Sequence, residues 1–224
     1  MTGRHEFKHY INYADILQLR SRLPLIMEMD EHSTSKAGYV VRSLYFDNYA
    51  DKALFEKING VDNREKFRLR LYNGNFSLIL LEKKSKLNGL CYKNSAPISA
   101  EVCEDVIKGD YSSLNQPDQP LLVEFYAKLK YQQLRPRTIV EYTREAYIMK
   151  AGKVRVTLDH HIRTSNQPAF FLSSSYTGFS LPDACILEVK YDQFLPEVVR
   201  SITALSSRPT TSFSKYAVSR IFQE

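Results

Sequence analysis

From Arg64 to Tyr72 the chain reads REKFRLRLY, with Phe67, Leu69 and Leu71 set between charged or polar neighbours. A period of two is the signature of a β-strand with one apolar and one polar face. Arg64, Lys66, Arg68, Arg70 and Tyr72 therefore share one face, and the three apolar residues share the other. The same alternation returns in Glu6-Phe7-Lys8, Leu80 to Lys86 (LLEKKSK), Tyr142-Thr143-Arg144, Val154 to Leu158 (VRVTL) and Ile186 to Lys190 (ILEVK). Such a chain is constrained to build a sheet that is apolar on one side and densely cationic on the other. Like charges opposite one another across strands are destabilising. Gathering them on one face points to a polyanion.

Net charge says less than this pattern. The total of +6 arises from 31 basic and 25 acidic residues, a mild excess that favours an anionic partner. The assignable polar faces are more lopsided. They carry Lys8, Lys66, Arg68, Arg70, Lys84, Lys86, Arg144, Arg155 and Lys190, against Glu6, Glu82, Asp159 and Glu188. A solvated β-sandwich would instead mix Lys, Arg and Glu evenly among Thr, Ser and Gln. A length of 224 residues suits one domain, 1–224, with a sizeable core. Cys91, Cys103 and Cys185 have neither CxxC nor metal-ligand spacing. Met1 to Tyr10 is charged, unlike a signal peptide, and no apolar run is long enough to span a membrane. The expected setting is cytoplasmic.

Strands are expected at Arg4 to Ile11, Gly38 to Phe46, Arg64 to Tyr72, Phe76 to Lys86, Leu90 to Ala96, Thr138 to Ala146, Val154 to Ile162 and Ala184 to Tyr191. Asn73-Gly74-Asn75 and Asn88-Gly89 mark turns between them. Helices are expected at Tyr13 to Leu23 behind an Asn12 cap, around Ala50 to Ile58, at Ser99 to Ile107, at Leu121 to Gln133 and at Lys215 to Phe222. Gln116 to Gln119 and the Ser-rich Leu172 to Ser180 read as loops. Antiparallel strands with helices set between them argue for an α+β fold whose sheet carries the function.

A cationic sheet also suits nucleic acid, but such surfaces add exposed aromatics for base stacking. Here the aromatics on the cationic faces are mainly Tyr10, Tyr72 and Tyr142, whose hydroxyls suit phosphate, and the acidic residues fit a metal site better. If the sheet closes into a barrel, Arg forks inside it can grip phosphate oxygens. In such a barrel Glu188 could then hold a divalent cation through hard oxygen ligands. No GxxxxGK[ST] or GxGxxG loop is present, so side chains must hold any triphosphate. No recognisable Ser, Cys or His nucleophile constellation appears. His160-His161 beside Asp159 suggests a ligand pair, yet adjacent strand residues point to opposite faces.

The segments RHEFKHYI, VRSLYFDN, REKFRLRLYN, LEKKSK, EYTREAY, VRVTLD, ILEVKYD and SFSKYAVSR span Arg4 to Arg220 in order. As an ordered set they resemble the VTC polyphosphate polymerase domain of the triphosphate tunnel metalloenzyme superfamily. The resemblance implies an antiparallel β-barrel tunnel with flanking helices, lined by basic residues. It implies transfer of the γ-phosphate of ATP to a growing polyphosphate chain. Carried over by motif, Lys8, Arg68, Arg70, Lys84, Arg144 and Arg155 would serve catalysis. Lys93, Tyr142, Lys190, Ser214, Lys215 and Glu6 would bind substrate, and Glu188 would hold Mn2+ or Mg2+. The implied partners are ATP and inorganic polyphosphate, with no nucleic acid. Relatives in eukaryotes work with membrane-protein partners. Other branches hydrolyse triphosphate or cyclise ATP and open with ExExK. Here that stretch is Arg4-His5-Glu6-Phe7-Lys8, and the Arg in place of the first Glu favours the polymerase branch over a tripolyphosphatase. Accessory members bind polyphosphate without making it.

Overall fold

The computed structural model describes residues 3–31, 37–114, 118–181, 184–205 and 213–221. Met1 of the charged amino-terminal stretch, Gln116 and Pro117 of the expected loop, Ser212 of the SFSKYAVSR segment and Phe222 of the expected last helix lie outside the described residues. In chain order the elements are β1 (His5–Ile11), α1 (Tyr13–Arg22), β2 (Glu28–Met29), β3 (Tyr39–Asp47), α2 (Lys52–Ile58), β4 (Arg64–Tyr72), β5 (Ile79–Leu87), β6 (Leu90–Ile98), α3 (Ala100–Lys108), α4 (Pro120–Tyr131), β7 (Arg135–Met149), β8 (Val154–Ser165), β9 (Phe179–Ser180), β10 (Cys185–Tyr191), α5 (Glu197–Thr203) and α6 (Lys215–Ile221). The chain divides into two compact units. The first takes Met1–Val40, Tyr142–Arg163 and Ser180–Phe213; the second takes Val41–Glu141, Thr164–Phe179 and Ser214–Glu224.

In the first unit β10 lies between β1 and β8, antiparallel to both. Its register sets Lys8 opposite Glu188, Glu188 opposite Thr157, and Glu6 opposite Lys190, which faces Arg155. The other face of these strands is apolar. Val154, Val156, Leu158, Leu187 and Val189 pack with Ile16, Leu19 and Leu23 into one core. Helix α1 begins at a capping box: Asn12 accepts from the Asp15 amide, and Asp15 accepts from the Asn12 amide, each at 2.9 Å.

In the second unit β3, β4, β5 and β6 follow one another as an antiparallel meander, with β6 last in the strand order. Leu44, Phe46, Phe67, Leu69, Leu71, Ile79 and Leu81 fill its core under α3 and α4. Phe125 of α4 stacks on Phe67 at 5.2 Å and meets Phe46 edge-on at 5.0 Å. Ser99 caps α3 by accepting from the Val102 amide, and Gly109 ends it at φ +93°. Asn88 (φ +50°) and Gly89 (φ +77°) form the two-residue turn joining β5 to β6, with Leu87 opposite Leu90. That double positive φ is what a tight hairpin requires. Asn73-Gly74 turns as well, but the next strand resumes only at Ile79.

Candidate functional site

The polar sheet faces expected from the alternation exist, and each unit carries one. In the second unit three cross-strand rows stand side by side. Lys66, Lys84 and Lys93 lie directly opposite one another; the next row is Tyr45, Arg68, Glu82 and Ser95; the third sets Ser43 beside Arg70 and Leu80. Arg68 and Arg70 are buried rather than solvated, at 7% and 5% exposure. What makes that tolerable is Glu82, fully buried among them. Arg68 donates to its Oε2 through Nε at 2.7 Å and lies within 2.6 Å through Nη2. Arg70 Nη1 is 3.6 Å from the same oxygen, and Lys93 Nζ donates to Oε1 at 3.1 Å. Burial works against the charged carboxylate, but Arg68, Arg70 and Lys93 outweigh it and hold Glu82 far below the usual carboxylate range. Arg70 also donates from Nε to Ser43 Oγ at 3.1 Å.

On the opposite face Lys83 pairs with Glu65 at 2.9 Å and with Glu124 of α4, and Lys128 pairs with Glu65. These charges neutralise one another around the helix. Ser214 is buried at the start of α6, where its hydroxyl accepts from the Ala217 amide at 3.4 Å. Lys215 follows it as the first helical residue. Tyr216 donates to Asp47 at 2.5 Å and its ring lies 5.3 Å from Tyr45, while Arg220 is forked onto Asp51.

In the first unit Lys8, Lys190, Glu6 and Glu188 form a four-membered cluster. Lys8 pairs with Glu6 and lies 3.9 Å from Glu188; Lys190 pairs with Glu188 and lies 3.4 Å from Glu6. Arg144 and Asp159 are joined by a buried fork, Nε to Oδ1 and Nη2 to Oδ2, both 2.7 Å, with the guanidinium 5.2 Å over the Tyr142 ring. Nη1 of Arg144 takes no part in that fork. Arg155 reaches Asp30 at 2.7 Å and donates to the Tyr39 hydroxyl at 3.0 Å. Opposite Glu188, the buried Thr157 hydroxyl has no hydrogen-bond partner among the described residues.

An unsatisfied buried hydroxyl is costly, and valine has nearly its shape. Thr157→Val is therefore expected to stabilise the protein by about 1 kcal/mol, read as a higher melting temperature. A lower one would show that the hydroxyl already has a partner.

Glu6 and Glu188 are the carboxylates available to a hard cation in this cluster. Among the described residues no three His, Cys, Asp or Glu side chains gather into a cage. Magnesium-like ions are commonly held by one or two carboxylates together with substrate phosphates. The donor set fits a divalent ion of that kind.

The expectation that His160 and His161 point to opposite faces is corrected by the structure. His161 has φ +50°, which breaks the alternation and brings the two rings together, Nδ1 to Nδ1 at 2.9 Å. His160 Nε2 then meets Glu145 at 2.8 Å, and Arg20 is forked onto the same carboxylate. The pair belongs to a hydrogen-bonded cluster with Glu145, which Arg20 also engages. None of the three cysteines forms a disulfide, and burial pushes the Cys103 thiol up to about 12, which removes it as a nucleophile.

Sequence reasoning missed Tyr45, Tyr39, Asp30 and Thr157, and gave Glu82 no role. Only Thr157 had a local signal, two residues beyond Arg155 on the same face of VRVTL; Tyr45 lies on a strand to which no cationic face was assigned. Asp30 and Tyr39 meet Arg155 from far along the chain.

No curated protein matches the chain. Among solved structures it is similar to the PH1819 protein from Pyrococcus horikoshii OT3, at 12% identity and TM-score 0.53, covering 99% of each chain. It is similar to a putative adenylyl cyclase from Hippeastrum described as having a dominant triphosphatase activity, at 14% identity and TM-score 0.55, covering 99% of this chain and 96% of that one. It is also similar to a putative adenylate cyclase from Bacillus halodurans, at 14% identity and TM-score 0.53, covering 90% of this chain and 87% of that one. At such identities the likeness establishes the fold, an α+β antiparallel architecture of the triphosphate tunnel type with flanking helices, as the sequence led us to expect. The VTC domain family model matches residues 3–221, and the chain belongs to that family.

Proposed function

We propose that this chain is a polyphosphate polymerase, transferring the γ-phosphate of ATP to the end of a growing inorganic polyphosphate chain with Mn2+ or Mg2+. The observation that carries the reading is the row Lys66–Lys84–Lys93, three lysines in register beside two buried arginines. Like charges so placed repel, and a bound polyanion turns that repulsion into attraction. Family membership supports a triphosphate- or polyphosphate-related function. On this reading residues 1–224 work as one catalytic domain in the cytoplasm.

Arg68, Arg70, Lys84 and Lys93 in one unit, and Lys8, Lys190, Arg144 and Arg155 in the other, would position and neutralise phosphoryl oxygens. Tyr142, Ser214, Lys215 and Glu6 would complete the substrate contacts. Phosphoryl transfer asks mainly for such positioning and charge stabilisation. A divalent ion at Glu188 would supply Lewis-acid polarisation of the transferred phosphoryl group. The attacking terminal phosphate oxygen is already anionic, so no general base is required. Of the aromatics on the cationic faces, Tyr142 is buried and offers no stacking platform for a base, whereas Tyr10 is exposed. No helix among the described residues is long and apolar enough to cross a membrane.

The test is incubation of the purified protein with ATP and manganese, resolving products by gel and by released phosphate. Long polyphosphate with matching ADP is the expected result. Free phosphate without polymer would replace this reading with a tripolyphosphatase. Saturable binding without turnover would replace it with a polyphosphate-binding subunit.

A further inference from the structure

Tyr45 sits opposite Arg68 in the β3–β4 ladder and is 3% exposed. Its hydroxyl oxygen accepts from Arg68 Nη1 at 3.0 Å, and among the described residues nothing accepts the hydrogen that the hydroxyl itself carries. Every cation nearby is a donor. Arg68 thus divides its guanidinium, with Nε and Nη2 on Glu82 and Nη1 on Tyr45.

The charged and titratable groups around the phenol come from three elements. From β4 come Lys66, whose Nζ lies 5.4 Å from the ring centroid, Arg68 at 5.7 Å, and Arg70. From β5 comes Glu82, already bound to Arg68. From α6 comes Tyr216, its ring tilted by 33° against that of Tyr45 and its own hydroxyl donating to Asp47 and accepting from Arg220.

We propose that the Tyr45 hydroxyl is a further substrate contact, yielding its place on Arg68 to a phosphoryl oxygen and donating its own hydrogen to that anion. The inference rests on the triphosphate-binding reading above. A phosphate among Lys66, Arg68 and Arg70 supplies the acceptor the phenol lacks. It also neutralises the charges that act on the phenol. In the ligand-free protein burial opposes ionisation, but the fields of Arg68, Lys66 and Arg70 and the hydrogen bond from Arg68 outweigh it, drawing Tyr45 down to about 7. Binding therefore restores the proton, taken from solvent, and the hydroxyl enters the complex as a donor. No bond other than O–H forms.

The experiment uses inorganic tripolyphosphate without metal at about pH 8. Calorimetry in two buffers of different ionisation enthalpy counts protons, and absorbance near 295 nm reports phenolate. Expected for the unaltered protein are uptake approaching one proton per complex and loss of phenolate absorbance. Tyr45→Phe should abolish both signals and weaken binding about tenfold, the loss of one charge-assisted hydrogen bond. Binding without uptake or absorbance change in the unaltered protein overturns the inference even if Tyr45→Phe does not fold. Uptake that persists in Tyr45→Phe overturns it as well. Absence of any tripolyphosphate binding by the unaltered protein removes the site reading itself, and this inference with it.

Discussion

Glu82→Gln is expected to cost about 3–5 kcal/mol of folding stability, the usual penalty for stripping a buried charge cluster of one partner. Glutamine keeps the shape but leaves Arg68 and Arg70, both nearly inaccessible, without the anion that offsets their desolvation. Lys93 can turn to solvent; the two arginines cannot. Urea melts at neutral pH measure the effect, and an unchanged midpoint would mean that the arginines have another counter-charge. The pH dependence supplies a second check. Because the folded carboxyl lies far below its unfolded value of about 4.3, its stabilisation is complete above that unfolded value. It is lost as pH falls towards the folded one. The unaltered protein should therefore lose this contribution progressively below about pH 4. The glutamine variant should lack that part of the slope.

Glu188→Gln should leave folding nearly intact and abolish metal-dependent turnover. Its lysine partners explain the first half. Lys8 and Lys190 each keep Glu6 as a counter-ion and retain contact with solvent, so no isolated buried charge is created. The second half follows from the chemistry of hard cations, which bind a carboxylate far better than a carboxamide. Mn2+ titration followed by electron paramagnetic resonance, with tripolyphosphate present, separates the two possibilities for any lost activity. Weaker manganese binding with an unchanged melt assigns Glu188 to the metal. Unaltered manganese binding removes it from the metal site, whatever happens to the rate.

Much of this was legible in the chain because alternation is a local property. REKFRLRLY, VRVTL and ILEVK each announced a strand and its two faces, and β4, β8 and β10 put those faces where the pattern did. Asn12 and Ser99 marked helix starts by their own side-chain chemistry. Helix α5 escaped notice because Pro196 precedes it without a capping side chain. The two-residue β2 is too short to have a period. β7 begins at Arg135, three residues before the expected start, since Pro136 is tolerated near the beginning of a strand.

Depth was the less readable quantity. The cationic face of β4 was evident, but its depth depends on partners from other strands, such as Tyr45 of β3 against Arg68 and Lys66, brought there by tertiary packing. The counter-ions behaved in the same way. Arg68 and Glu82 face each other across one hairpin, a pairing that a correct register yields. Arg155 and Asp30, or Arg20 and Glu145, are separated by more than a hundred residues, and no local pattern relates them.

The position of β6 at the end of its meander has a consequence for solubility. A terminal strand offers unpaired backbone groups to any other extended chain, and proteins discourage that addition with lysine and proline. β6 carries both, as Lys93 and Pro97. The charge proposed to draw a phosphate chain towards the sheet would thus also repel a second copy from docking strand to strand. A long polyanion lying across Lys93 would mask one of these guards, leaving Pro97 and the bound chain's own negative charge to keep neighbouring molecules apart.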